Sequence, residues 1–216
     1  MSVRRLLTFV LAVVPLCSAV AGDGFRDCPQ CPEMVRLPGL SMARTETTRG
    51  QWLACVKAGF CRDKLVRWPG DGMPMTEVTV RDAETYAAWL SKVTGRRYRL
   101  PTEAEWEAAA RAGTATAYPW GEAMEPGRAV CRSCDPRFDR HPAPAASMAP
   151  NPWGLFDMNG NVWELTADCW APGCRQRVVK GGSWYFVPAQ SRSESRAPQD
   201  AGTGGYDVGF RVARED

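Results

Sequence analysis

Oxygen-bearing side chains crowd into the stretch Asp157-Met158-Asn159-Gly160-Asn161-Val162-Trp163-Glu164. Asp157, Asn159, Asn161 and Glu164 alternate there with small or apolar residues, the pattern by which a tight turn aims several oxygens at one hard cation such as Ca²⁺. It is not an EF-hand loop, because glycine comes too early and the acid arrives before the bidentate last position. The same residues also suit an Asn-Gly turn closed by Asx hydrogen bonds, with no ion. Downstream, Lys180-Gly181-Gly182-Ser183-Trp184-Tyr185-Phe186 reads as a strand ending in two glycines, where backbone closely approaches a ligand or a neighbouring strand. Trp184 fits a packed core, and the aromatic run equally fits a floor for a peptide or glycan.

Thiols and imidazoles limit the remaining chemistry. The single histidine, His141, cannot build a three-histidine iron site or a His-rich zinc site. It sits among proline and arginine, where it reads as a solvated side chain rather than a base. The nine cysteines comprise Cys17 and four neighbouring pairs: Cys28/Cys31, Cys55/Cys61, Cys131/Cys134 and Cys169/Cys174. In an oxidising compartment these pairs are expected to form four short-range disulfides, each pinning one local turn. The Cys-x-x-Cys spacings at 28/31 and 131/134 would also suit joint zinc ligation or a dithiol redox centre. Neither follows a strand and opens a helix, as a thioredoxin-like context requires.

The start of the chain supplies that compartment. Arg4 and Arg5 precede an apolar run over residues 6–16, and Ala19-Val20-Ala21 offers small residues where a signal peptidase reads. The expected organisation is a signal peptide over 1–21, a cysteine-containing segment over 22–32 and a domain over 33–216. Export would be to the periplasm or beyond. Leu16 before Cys17 argues against a lipid anchor, and no other stretch is apolar enough to span a bilayer. The chain has 27 basic and 24 acidic residues, and losing Arg4 and Arg5 leaves 25 against 24. That balance points away from nucleic acid and from an anionic membrane surface.

Three helices must position these residues. Thr48 and Gln51 have capping-box spacing before Trp52, Cys55 and Val56, with a stop at Gly59. A second helix runs from about Arg81 to Thr94, its apolar face being Ala83, Tyr86, Ala87 and Leu90, and ends at Gly95. A third opens at Pro101-Thr102 with Glu105 three residues after the cap, and closes at Gly113. Beyond Tyr118 only the segments Arg177-Val178-Val179-Lys180 and Gly209-Phe210-Arg211-Val212-Ala213-Arg214 read clearly as strands. Residues 142–152 read as an extended, proline-punctuated connector. So irregular a second half needs disulfides, buried tryptophans or a bound cation to hold it.

Together these pieces resemble the formylglycine-generating enzyme family, or sulfatase-modifying factor domains. The matching stretches are "ETTRGQW", "RLPTEAEWEAAARAG", "YPWGE", "NPWGLFDMNGNVWELTADCW", "RVVKGGSWYF" and "VGFRVAR", in the family's order. The resemblance implies an α+β domain related to C-type lectin folds, low in regular structure and often stapled by calcium. It would place a structural calcium on the side chains of Asp157 and Glu164 and the carbonyls of Gly160 and Val162. Val130 stands where a second calcium site of the family commonly has an asparagine, and offers no ligand. Enzymatic members oxidise a substrate cysteine to formylglycine with O₂ and a copper ion held by two cysteines just after the Gly-Gly-Ser motif. Residues 175–216 contain no cysteine, so the soft thiolates that Cu(I) needs are missing there. Cys169 and Cys174 have the interval of such a pair but precede the motif.

Two functions compete. One is an exported binding or accessory module, holding a peptide, glycan or protein partner on Trp163, Ser183, Trp184, Tyr185, Phe186 and Gln190, with loop 187–207 varying around a fixed scaffold. The other is an enzyme of the same family that modifies a peptide side chain by a non-standard site, with Ser183, Tyr185, Asp207 and Arg211 as candidates and no matched nucleophile and base in view. A loop-diversified display protein is a third expectation for the segment after the glycines.

Overall fold

Three threonines, Thr48, Thr79 and Thr102, open the helices of the computed structural model, which describes residues 24–216. Each hydroxyl accepts the backbone N–H three residues on, and that residue's side chain accepts the threonine's own N–H. The helices are α1 (Arg49–Lys57), α2 (Val80–Thr94) and α3 (Glu103–Arg111). α2 begins one residue earlier than its apolar periodicity suggests, because Thr79 and Asp82 form a reciprocal box. The expected signal peptide lies outside the described residues.

Two four-stranded sheets carry the rest. One contains β1 (Met34–Leu37), β2 (Leu40–Ala43), β3 (Tyr98–Arg99) and β8 (Ala213–Arg214), ordered β1-β2-β8-β3 and antiparallel throughout. The other contains β4 (Trp163–Cys169), β5 (Gln176–Lys180), β6 (Arg196–Asp200) and β7 (Val208–Gly209), ordered β6-β5-β4-β7. In that sheet only the β4–β7 pair is parallel.

The expected strand over 209–214 is broken, for a reason the pairing makes plain. Gly209 pairs with Glu164 in one sheet, whereas Ala213 pairs with Met42 and Arg99 in the other. Phe210, Arg211 and Val212 therefore cross from sheet to sheet. Their backbone stays satisfied on the way: the Phe210 carbonyl accepts the Thr47 N–H and the Val212 carbonyl accepts the Ala43 N–H, each at 2.8 Å.

Aromatic packing locks α1 and α2 onto this crossing. The rings of Trp52, Tyr86 and Phe210 lie 5.6–6.5 Å apart, with Trp89 5.5 Å from Tyr86, all of them buried. A second cluster joins Trp106 of α3 to Met42, Leu155 and Met158, and a third gathers Val130, Ala143, Met148, Val162 and Trp184. The stretch 142–152 is therefore more than an extended connector, since Ala143 and Met148 are anchored in that third cluster.

The four expected disulfides are present: Cys28–Cys31, Cys55–Cys61, Cys131–Cys134 and Cys169–Cys174. Their formation removes the zinc and free-dithiol readings of these cysteines. Cys169 is the last residue of β4. Among the described residues no helix is long and apolar enough to cross a membrane.

Candidate functional site

The Asp157–Glu164 turn is wound by three residues in the left-handed region, Asp157, Gly160 and Asn161, with φ of 57°, 100° and 60°. Gly160 is obligatory, since a Cβ there would sit 2.5 Å from the Val130 carbonyl oxygen. The two asparagines bind protein. Asn161 Oδ1 accepts the Ala143 N–H at 2.9 Å, and its Nδ2 donates to Glu46 Oε1 at 2.9 Å. Asn159 Nδ2 donates to the Ser191 carbonyl at 2.8 Å. These amides are architectural, but they act through long-range bonds rather than the local Asx hydrogen bonds expected of an Asn-Gly turn.

Glu164 is fully buried and its carboxylate is closed by three donors. Arg211 Nη2 and Nε donate to Oε1 and Oε2, both at 2.6 Å, and Trp106 Nε1 donates to Oε2 at 2.7 Å. Arg211, also fully buried, further donates to the carbonyls of Ala43, Arg44 and Phe156 at 3.1, 3.3 and 2.9 Å. Asp157 Oδ2 accepts the Ala146 N–H at 2.6 Å. A calcium on Asp157, Gly160, Val162 and Glu164 would need the Glu164 carboxylate open to it, yet a guanidinium already caps that group. The residues present do not fit calcium at this turn.

Three carboxyl groups, Glu46, Asp157 and Glu164, share this buried space with one guanidinium. Burial, reinforced by the charge of Glu164, pushes Asp157 up to about 6 against the pull of the Ala146 hydrogen bond and Arg211. Burial and the charges of Asp157 and Glu164 likewise raise Glu46 well above the usual carboxylate range, and its Oε2 has no partner. Burial alone would pull Arg211 down, but the charge and hydrogen bonds of Glu164 keep it above its ordinary value. Glu46 was not legible as a member of this cluster, because the sequence signals around it describe the α1 cap.

The aromatic run after the glycines borders a cleft of about 480 Å³ lined by Arg132, Ser133, Asp139, Arg140, Trp184 and Tyr185. Gly182, with φ of 78°, makes the turn possible, but its close approach is to Ser191 and Gln190 rather than to a ligand. Trp184 is buried against Trp68 and Tyr206, at 5.7 and 5.9 Å. Tyr185 is 44% exposed, with the Arg132 guanidinium 4.8 Å from its ring. Two arginines against one aspartate, whose Oδ1 already accepts the Ser133 N–H, give the cleft a positive balance. Arg132 and Ser133 are the two residues enclosed by the Cys131–Cys134 bond, and that tight loop turns them outward. The Arg132 N–H donates to the Phe186 carbonyl at 2.9 Å, tying the loop to the aromatic run.

Of the candidate ligand-binding residues, Trp184 and Tyr185 reach this cleft. Phe186 stands behind them, 5.7 Å from both Tyr185 and the buried Trp163. Gln190 is exposed on the short helical turn Pro188–Ser191, away from the lining. The four catalytic candidates divide. Ser183 Oγ donates to Asp207 Oδ2 at 2.8 Å in a buried pair, with burial raising the Asp207 carboxyl against that bond. Tyr185 faces the cleft, and Arg211 is committed to Glu164.

A family model described as a sulfatase-modifying factor enzyme 1-like domain matches residues 13–216. The chain is 34% identical to a formylglycine-generating enzyme of Thermomonospora curvata, over 82% of this chain and 69% of that protein. It is 35% identical to the inactive C-alpha-formylglycine-generating enzyme 2 of Mus musculus, over 75% of this chain and 57% of the relative. The chain therefore spans little more than half of the mouse protein. Among solved structures, PvdO from Pseudomonas aeruginosa superposes with a TM-score of 0.79 at 30% identity, covering 91% of this chain and 99% of that one. Treponema denticola variable protein 1 shares the fold, with a TM-score of 0.71 at 23% identity over 89% of this chain and 91% of that one.

Proposed function

The chain belongs to the sulfatase-modifying factor enzyme 1-like domain family, and from that premise we propose that it is an exported binding or accessory module without copper-dependent oxidase activity. One observation carries this reading. The backbone after Gly181-Gly182-Ser183, where the oxidising members are expected to hold copper between two thiolates, supports instead the interlocked rings of Trp184, Tyr185 and Phe186. All eight cysteines of the described residues are spent in disulfides, leaving no soft ligand pair. Relatives carrying the names of both active and inactive enzymes fit a family in which the frame outlives the chemistry.

The cleft at Trp184 and Tyr185 is the binding surface of this reading, with Arg132 and Arg140 favouring partners that carry anionic groups. A peptide, a glycan or an exported protein would serve. Four disulfides fit a periplasmic or secreted location. The test is to purify the oxidised mature protein, add copper and O₂, and follow a cysteine peptide by mass. The expected result is an unchanged thiol, and an aldehyde on the peptide overturns the reading. Peptide and glycan arrays probed with wild type and Tyr185→Ala check the binding half, with signals that depend on Tyr185 expected.

The Ser183–Asp207 hydrogen bond favours a second reading, in which an enzyme of the same family modifies a peptide side chain through a hydroxyl activated by a carboxylate. Turnover of any peptide that Ser183→Ala abolishes would promote it.

A further inference from the structure

The geometry points to Arg211 as a built-in cation that takes calcium's place at the Asp157–Glu164 turn, so that the folded chain needs no divalent metal there. A structural calcium does two things: it neutralises carboxylates, and it draws carbonyl oxygens from separate segments onto one point. Arg211 does both. Its Nε and Nη2 meet the two oxygens of Glu164, while Nη1 and Nη2 reach the carbonyls of Ala43, Arg44 and Phe156.

Guanidinium valence accounts for the fit. Of its five N–H groups, two are directed at Glu164, two at the end of β2 and its following residue, and one at Phe156. No donor is left over in a place where solvent is excluded. Trp106 Nε1 closes the remaining side of Glu164. A lysine, with three donors and no planar fork, would leave carbonyls unmet. Placement matters equally, because Arg211 lies on the segment that crosses between the sheets. Through one side chain it binds β4 of one sheet, the end of β2 of the other, and the residue before the turn.

The wild-type mature protein is compared in calcium and in EGTA by thermal melting, and titrated with terbium, whose emission Trp106 would sensitise if the ion sat beside Glu164. The expected result is one melting temperature in both buffers and no sensitised emission. Arg211→Met leaves Glu46, Asp157 and Glu164 without their counter-charge. It is expected to melt lower, to recover by about 5 °C in saturating calcium, and to sensitise terbium. A wild type that gains several degrees from calcium and loses them to EGTA overturns the inference, as does a folded Arg211→Met that ignores both ions. Should Arg211→Met fail to fold, Glu164→Gln/Arg211→Met removes the opposed charges together and is expected to restore folding. A double variant no better than the single one refutes the pairing.

Discussion

Ser183 and Asp207 are hydrogen-bonded at 2.8 Å, joining the turn after β5 to the residue that precedes β7. Both are buried, so the bond is a fastening between two loops as well as a chemical pairing.

Ser183→Ala leaves Asp207 buried without its donor. The expected loss of stability is about 1–3 kcal/mol, measured by urea unfolding. Asp207→Asn, which keeps a polar group opposite the hydroxyl, is expected to cost less. Equal losses in both variants would show that volume rather than the bond matters.

Stability should depend on pH in two opposite limbs. Asp157 holds its proton up to about 6 in the fold, against an ordinary value of 3.8, so its burial weighs against the folded state increasingly as pH rises from about 4 through 6. Glu105 is lowered to about 2, chiefly by its hydrogen bond with Arg99, so its contribution is present above its ordinary 4.5 and fades as pH falls through 4.5 towards 2. The melting temperature is therefore expected to be highest in acidic buffer, between the two limbs, and to decline until the pH passes about 6. Asp157→Asn is expected to shrink the upper limb to the share that the raised Glu46 carries, and a variant that keeps the full wild-type decline would contradict this.

Tryptophan and tyrosine at adjacent positions should separate packing from recognition. Trp184→Ala empties the third core cluster and is expected to cost roughly 3–5 kcal/mol. Tyr185→Ala, half in solvent, is expected to stay within about 1 kcal/mol of wild type while losing whatever the cleft binds. Denaturant titration reads the first effect and array signal the second.

Among the disulfides, Cys55–Cys61 ties α1 to the turn after it within the main core, whereas Cys169–Cys174 closes a surface turn. Replacing Cys55 and Cys61 with alanine is expected to cost roughly 2 kcal/mol through loop entropy, plus the packing of two buried sulfurs. The Cys169/Cys174 double serine variant should lose less, by comparison of melting curves. Thiol titration of the unfolded, unreduced mature protein is expected to find no free sulfhydryl.

Local signals were the legible ones. Thr48 with Gln51 and Thr102 with Glu105 marked their helices because a capping box is written within four residues. The cysteine pairs were legible for the same reason. The strand over 209–214 was misjudged because its alternation says nothing of which sheet each end joins. Arg211 and Glu46 were opaque as partners of the 157–164 turn, since the chain between them is long and no periodic pattern links them. The family resemblance supplied a calcium for that turn, and only side-chain geometry revealed the guanidinium against Glu164. Arg132 and Arg140 lacked any sequence mark of a binding surface, although the Cys131–Cys134 spacing marked the tight loop on which Arg132 is exposed.

The crossing at residues 210–212 has a consequence for how the protein is made. β7 and β8 follow every other strand in sequence, and each completes a different sheet. Until residues 208–214 take their places neither sheet can be completed, so both halves of the fold close through the same late, long-range pairings.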